Sequence, residues 1–216
     1  MDNINKYEDI SYMHVVTKVP YSKFIDELVF KFPSLSSDYI TNSIKLVCMD
    51  MCYRTRILRR YRQQDIYCGI NEYPILMYPY ESLVQFYNIS IDDELQFVEV
   101  EGTKKLKDAR PNVVYLTDND TYVIPKSKIK GCIKYSIAIA PNIDSKAIDS
   151  VVYNRHYQTI YNGTAAKLYL ENTPQFNQNL SMIYEEKYIR ACDMATTDKS
   201  REFNRKLVKI GGINYG

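Results

Sequence analysis

Apolar positions recur every three or four residues in two blocks of this 216-residue chain and alternate in the block between them. In the first block Val19-Pro20 opens a helix from Tyr21 to about Lys31, with Phe24, Leu28 and Phe32 on one face. Pro33 ends it, because proline clashes with a continuing helix. Ser34, Ser36 and Ser37 offer N-caps for a second helix running to about Arg60. Its stripe of Ile40, Ile44, Val47, Cys48, Met51 and Leu58 follows the helical period and predicts one buried face.

From Tyr61 to about Pro141 the pattern shortens into runs of β-branched and aromatic residues broken by turn residues. These predict strands over Gln64–Cys68, Pro74–Met77, Leu83–Ile89, Leu95–Val100, Val113–Leu116, Tyr122–Ile124 and Cys132–Ala140. VVYL-TDND-TYVI reads as a hairpin, with Asn and Asp supplying the turn. Thr103–Asp108 reads as a polar loop. SIAIA, Ser136 to Ala140, alternates and predicts one face against a core.

The helical period returns at Asp144. Asp144 or Ser145 can cap a helix through Ile148, Val152, Ile160, Gly163, Ala166 and Leu170. Gly163 costs roughly 1 kcal/mol against Ala inside a helix, which calls for close approach of a neighbour in return. After a link holding Pro174, a last helix is predicted from about Asn179 to Thr197, with Leu180, Ile183, Tyr184, Tyr188, Ala191 and Ala195 on one face. The strands are consecutive, so the plan is α+β: a helical bundle of 21–62 and 142–199, an inserted antiparallel β domain over 63–141, and an N-terminal arm over 1–20. An extended basic tail, 200–216, reads either as a frayed terminus or as an arm that docks on a partner.

Composition narrows the function. The 28 basic and 26 acidic residues give a net charge of +2, too balanced for nucleic-acid binding over the whole surface. The polar, acidic start is not a signal peptide, and no apolar run suits a membrane span, which points to a cytoplasm and no membrane partner. Twenty-one tyrosines reflect either an AT-rich coding sequence or half-buried and interfacial sites. The five cysteines are scattered and odd in number, so reduced thiols are expected and neither a disulfide framework nor zinc.

No catalytic constellation emerges. His14 and His156 are isolated, no glycine-rich phosphate loop precedes a helix, and Asp92, Asp93 and Glu94, like Asp118 and Asp120, suit turns. No enzyme activity, cofactor or metal is expected. The strongest charge feature is RTRILRRYR, holding Arg54, Arg56, Arg59, Arg60 and Arg62. A helix C-terminus favours cations by about 0.3–1 kcal/mol each, which accounts for one or two of them. The rest suit a solvated face, an acidic protein partner or DNA phosphates.

The stretch GTAAKLYL, followed by PQFNQNLSMIYEEKYIRAC, resembles the C-terminal signature of bacteriophage head-to-tail adaptor (connector) proteins of the podovirus tail-tubular-A-like kind. Ile160, Gly163, Ala165, Ala166 and Leu168 match its first part; Pro174, Phe176 and Asn177 stand at its link, with Phe in place of Trp, and Tyr188 fills its aromatic position. The resemblance implies a structural virion protein at the head-tail junction, assembled in the host cytoplasm. It implies a ring of about twelve copies that binds the portal protein, offers a platform to tail tube, nozzle or tail-fibre proteins, and lets double-stranded DNA pass without specific contact. A terminal extension with Arg201, Phe203, Arg205, Leu207, Val208, Ile210 and Tyr215 would then dock on the portal. Because phosphate contacts dominate DNA affinity, the Arg54–Arg62 cluster is expected to face protein and not a DNA channel. The alternatives are a tail-completion or nozzle protein on the same axis, or a nucleic-acid-binding protein using that cluster.

Overall fold

The computed structural model describes residues 17–92, 94–100, 113–116, 121–124 and 131–210, without the side chains of 95–100 and 198–210. The chain is mixed α+β and divides into two compact units: Arg59–Ile139 lies in one, Val16–Leu58 and Ala140 onward in the other. Among the described residues the chain passes from one unit to the other between Leu58 and Arg59 and between Ile139 and Ala140.

The β unit holds β2 (Arg59–Ile66), β3 (Glu72–Pro74), β4 (Glu81–Ile91), β5 (Glu94–Val100), β6 (Val113–Leu116), β7 (Thr121–Val123) and β8 (Gly131–Pro141). Their order in one sheet is β2-β8-β4-β5-β6-β7-β3. β2 lies antiparallel to β8, Arg59 facing Ala138 and Ile66 facing Gly131. The predicted hairpin is β6 with β7, Leu116 opposite Tyr122. The expected wholly antiparallel domain is corrected in one place: β5 and β6 run parallel, Phe97 opposite Val113. Parallel neighbours need a connection longer than a tight turn; residues 101–112, with the expected Thr103–Asp108 loop, lie outside the described residues. Ser136–Ala140 is buried at every position and not at alternate ones; β8 is an inner strand flanked by β2 and β4.

Asp92 makes the turn expected of it. Its backbone is left-handed (φ 48°), its N–H donates to Cys132 O and its Oδ1 accepts from Cys132 N, both at 2.9 Å. Its Oδ2 would lie 2.5 Å from a Cβ on Gly131, so only glycine fits there without moving the carboxylate. Asp93, Asp118 and Asp120 lie outside the described residues. Tyr122 sits at the centre of the unit's core, fully buried, stacked on Tyr73 and edge-on to Tyr135. Its hydroxyl donates to Gln64 Oε1 at 3.1 Å, which satisfies two polar groups that burial would otherwise penalise. Tyr135 in turn accepts from Leu76 N at 2.7 Å, and burial pushes its phenol up to about 12.

The helical unit starts with β1 (Lys18–Pro20), which pairs antiparallel with β9 (Ala147–Asp149). A 3-10 turn, Tyr21–Phe24, precedes α1 (Ile25–Lys31), so the first predicted helix is two pieces. Helix α2 spans Ser37–Thr55 and is N-capped by Ser36, whose side chain accepts from Tyr39 N at 3.2 Å. It ends five residues before the expected Arg60, because Arg56 turns left-handed (φ 52°) and closes the helix on Cys52 O.

Helix α3 spans Ser150–Leu168, not from Asp144. Asp144 and Ser145 instead form a turn on Asn142, and Ile148 belongs to β9. The α3 backbone departs from helical angles at His156. Leu170 falls beyond the helix and is exposed. Helix α4 spans Gln178–Ile210, longer than expected, and Asn177 caps it by accepting from Leu180 N at 3.0 Å. Among its described side chains Ser181, Tyr188, Cys192 and Ala195 are buried, whereas Ile183, expected inside, is exposed. Helices α2, α3 and α4 pack on one another. Phe24 stacks on Tyr157 and meets Tyr153 edge-on, tying the 3-10 turn to α3.

Candidate functional site

The residues singled out for helix packing converge on one contact. Gly163 lies where a Cβ would stand 2.7 Å from Val47 Cγ1 on α2 and 2.8 Å from Tyr188 Cδ2 on α4. Both distances are shorter than real Cβ contacts, so three helices meet here only because the residue is glycine. Ile160, Ala165 and Leu168 are fully buried around it, and Ala166 nearly so. Their short side chains let the helices approach, and Ser181 uses the proximity to donate to Ala166 O at 2.8 Å.

Tyr188 is held by a polar chain. Its hydroxyl donates to Asp50 Oδ2 at 2.7 Å, and Arg54 Nε donates to the same oxygen at 2.7 Å. Burial, then the bond to Asp50, raises the Tyr188 phenol above its ordinary value. Hydrogen bonding to Asp50 raises the Arg54 guanidinium further. The helical period alone does not single out Asp50. The available signal is its i,i+4 spacing to Arg54 on α2.

The arginine cluster is divided between the helical unit and the β unit. Arg54 and Arg56 belong to the helical unit, Arg59, Arg60 and Arg62 to the β unit. On strand β2 the side chains alternate, and Arg62 is buried. Its Nη2 donates to Glu81 Oε2 at 3.0 Å, its Nε to Leu76 O at 3.2 Å, and its Cζ lies 4.3 Å from the Tyr78 ring centroid. Arg60 Nε approaches Glu81 Oε1 at 3.7 Å, and Arg59 stacks on Tyr87 at 4.2 Å. Two cations thus share one buried carboxylate, and a third lies on an aromatic face. Arg56 is exposed, at the left-handed end of α2.

Of the expected docking tail, residues through Ile210 continue α4 as helix and are not extended. The side chains of Arg201, Phe203, Arg205, Leu207, Val208 and Ile210, and all of Tyr215, lie outside the described residues. His14 does too. Cys48, Cys52 and Cys192 are buried thiols; burial raises Cys48 well above its ordinary value. Among the described residues no cluster of His, Cys, Asp and Glu could hold a metal ion, and no helix is long and apolar enough to cross a membrane.

One further cluster escaped the sequence reading. Lys31 Nζ donates to Tyr184 OH at 2.6 Å and lies 3.5 Å from Tyr161 OH, with the Tyr169 and Tyr184 ring centroids at 5.2 and 4.4 Å. The three tyrosines come from both ends of the α3–α4 link, so no local spacing reveals them.

Compared with known proteins, the sequence matches no family model and no curated protein.

Proposed function

We propose that the protein is a structural component of a virion, a head-to-tail adaptor that forms a ring between portal and tail and extends the DNA channel. The observation that carries this reading is the Gly163 contact, where the motif residues Ile160 to Leu168 and Tyr188 build the junction of α2, α3 and α4. That junction gives a rigid helical body from chain segments on both sides of the β unit, the arrangement the resemblance implies. The finer form of the fold, a helical bundle carrying an inserted β domain and a docking tail, belongs to the same proposal. The tail then enters as a prolongation of α4.

The placement of the arginines favours this reading over a nucleic-acid-binding one. Arg60 and Arg62 are committed to Glu81 and Arg54 to Asp50, so the cluster does not present five free cations to phosphate. Association of the purified chain with a portal protein tests the proposal. Negative-stain images should show closed rings of about twelve copies. Removing Phe203–Gly216 should leave a folded chain that no longer co-purifies with portal. Persistence of single chains at high concentration with portal present would overturn the adaptor reading.

A further inference from the structure

Lys31 is an unusual cation in this chain. Among the described residues no carboxylate pairs with it; its partners are the phenol oxygens of Tyr184 and Tyr161 and the ring of Tyr169. A phenol that accepts from an ammonium keeps its own O–H for donation. Among the described residues no acceptor receives the Tyr161 or Tyr184 proton. Both side chains are half-buried and reach solvent. Aromatic packing fixes them: Tyr169 stacks on Tyr184 at 5.6 Å, and Tyr161 meets Tyr184 edge-on at 6.3 Å. A positive charge and two phenol protons without acceptors therefore share one half-buried cluster, a preorganised arrangement for an oxyanion.

We propose that Lys31, Tyr161 and Tyr184 form a recognition site for a single carboxylate on a polypeptide partner. The surroundings choose the carboxylate over a phosphate chain. Lys187 adds a second cation, 5.3 Å from the Tyr184 centroid, but Glu185 and Glu186 are exposed beside it and balance the local charge. A polyanion needs a row of cations to release counterions, and none is present here. The immediate chain neighbours Phe30 and Ile183 are 90% and 47% exposed. An acidic side chain flanked by apolar ones suits a cation carried by helices that also expose apolar side chains.

The site is read on one chain, so peptide binding and ring formation succeed or fail separately. The test is a titration of the full chain, with lysine carbons labelled for NMR. The probes are acetyl-Leu-Asp-Leu amide, its Asn counterpart and a short DNA duplex. The Asp peptide should shift the Lys31 signal saturably, and the Asn peptide should bind at least about fivefold more weakly. Tyr161→Phe and Tyr184→Phe keep the rings and remove the donors. Each should weaken the Asp peptide by a similar factor while circular dichroism shows an intact fold. Equal binding of the Asn peptide, unchanged binding in both phenylalanine variants, no saturable shift, or a response to DNA in place of the Asp peptide would each overturn the assignment.

Discussion

The Tyr188 hydroxyl donates to Asp50 Oδ2 at 2.7 Å while the edge of its ring covers Gly163, so one side chain of α4 binds both α2 and α3. The bond fixes the ring, and the ring excludes any side chain at position 163. The backbone cost at Gly163 and a polar bond between partners 138 residues apart in sequence belong to a single packing unit.

Gly163→Ala tests that unit most simply. Alanine gains roughly 1 kcal/mol of helix propensity. The added methyl meets a β-branched side chain and a tethered ring, and overpacking costs about 1–3 kcal/mol. The variant should be less stable than the parent in denaturant melts. A stabilised Gly163→Ala would show that Val47 and Tyr188 yield freely.

Removing the tether separates its two bonds. Tyr188→Phe keeps the ring and loses a hydrogen bond to a carboxylate, and should cost about 1.5–3 kcal/mol. Arg54→Ala loses an exposed i,i+4 pair and should cost about 0.5 kcal/mol or less. Equal losses in chemical denaturation would contradict the assignment of the main role to Tyr188.

In the β unit Glu81 is the shared partner of Arg60 and Arg62, with side chains 7%, 16% and 4% exposed. Glu81→Ala leaves the buried Arg62 charge without its carboxylate and should destabilise the unit by about 3–5 kcal/mol. Replacing Arg56, exposed at the helix end, by Lys should change stability by less than about 0.5 kcal/mol. The contrast is read by thermal unfolding of the two variants.

Alkaline pH should weaken the fold. Burial holds the Tyr135 phenol at about 12 against an ordinary 10.0. Above pH 10 the unfolded chain therefore releases that proton while the folded chain keeps it. The stability tied to Tyr135 is fully present below pH 10 and is lost as pH rises to about 12. Tyr122 and Tyr21, also raised by burial, act in the same direction. Tyr135→Phe should flatten the fall in unfolding free energy between pH 10 and 12, and an unchanged slope would contradict the assignment.

The periodic signals were legible where one element packs on one face. Ile40, Ile44 and Met51 on α2 are buried as their spacing requires, and Val113–Leu116 is a strand with the predicted bounds. Ends were less legible. Helix α2 stops at Arg56 through a left-handed turn that arginine gives no hint of, and the helical spacing of Leu58 hid the start of β2. Asp144 looks like a cap, but residues 147–149 are a strand, because Lys18–Pro20 supplies a partner to pair with. The need of Gly163 for a close neighbour could be read from helix propensity. The identity of that neighbour, Tyr188 tethered by Asp50, depends on a register between helices that no single stretch encodes. The same holds for Lys31 among its tyrosines.

The central claim, that this chain builds a ring, is tested most directly by the mass of the complex it forms with a portal protein, measured by light scattering or mass photometry. The adaptor reading predicts a single assembled species carrying about twelve copies of the chain. A chain that stays monomeric beside the portal, across the concentration range of the experiment, would contradict it.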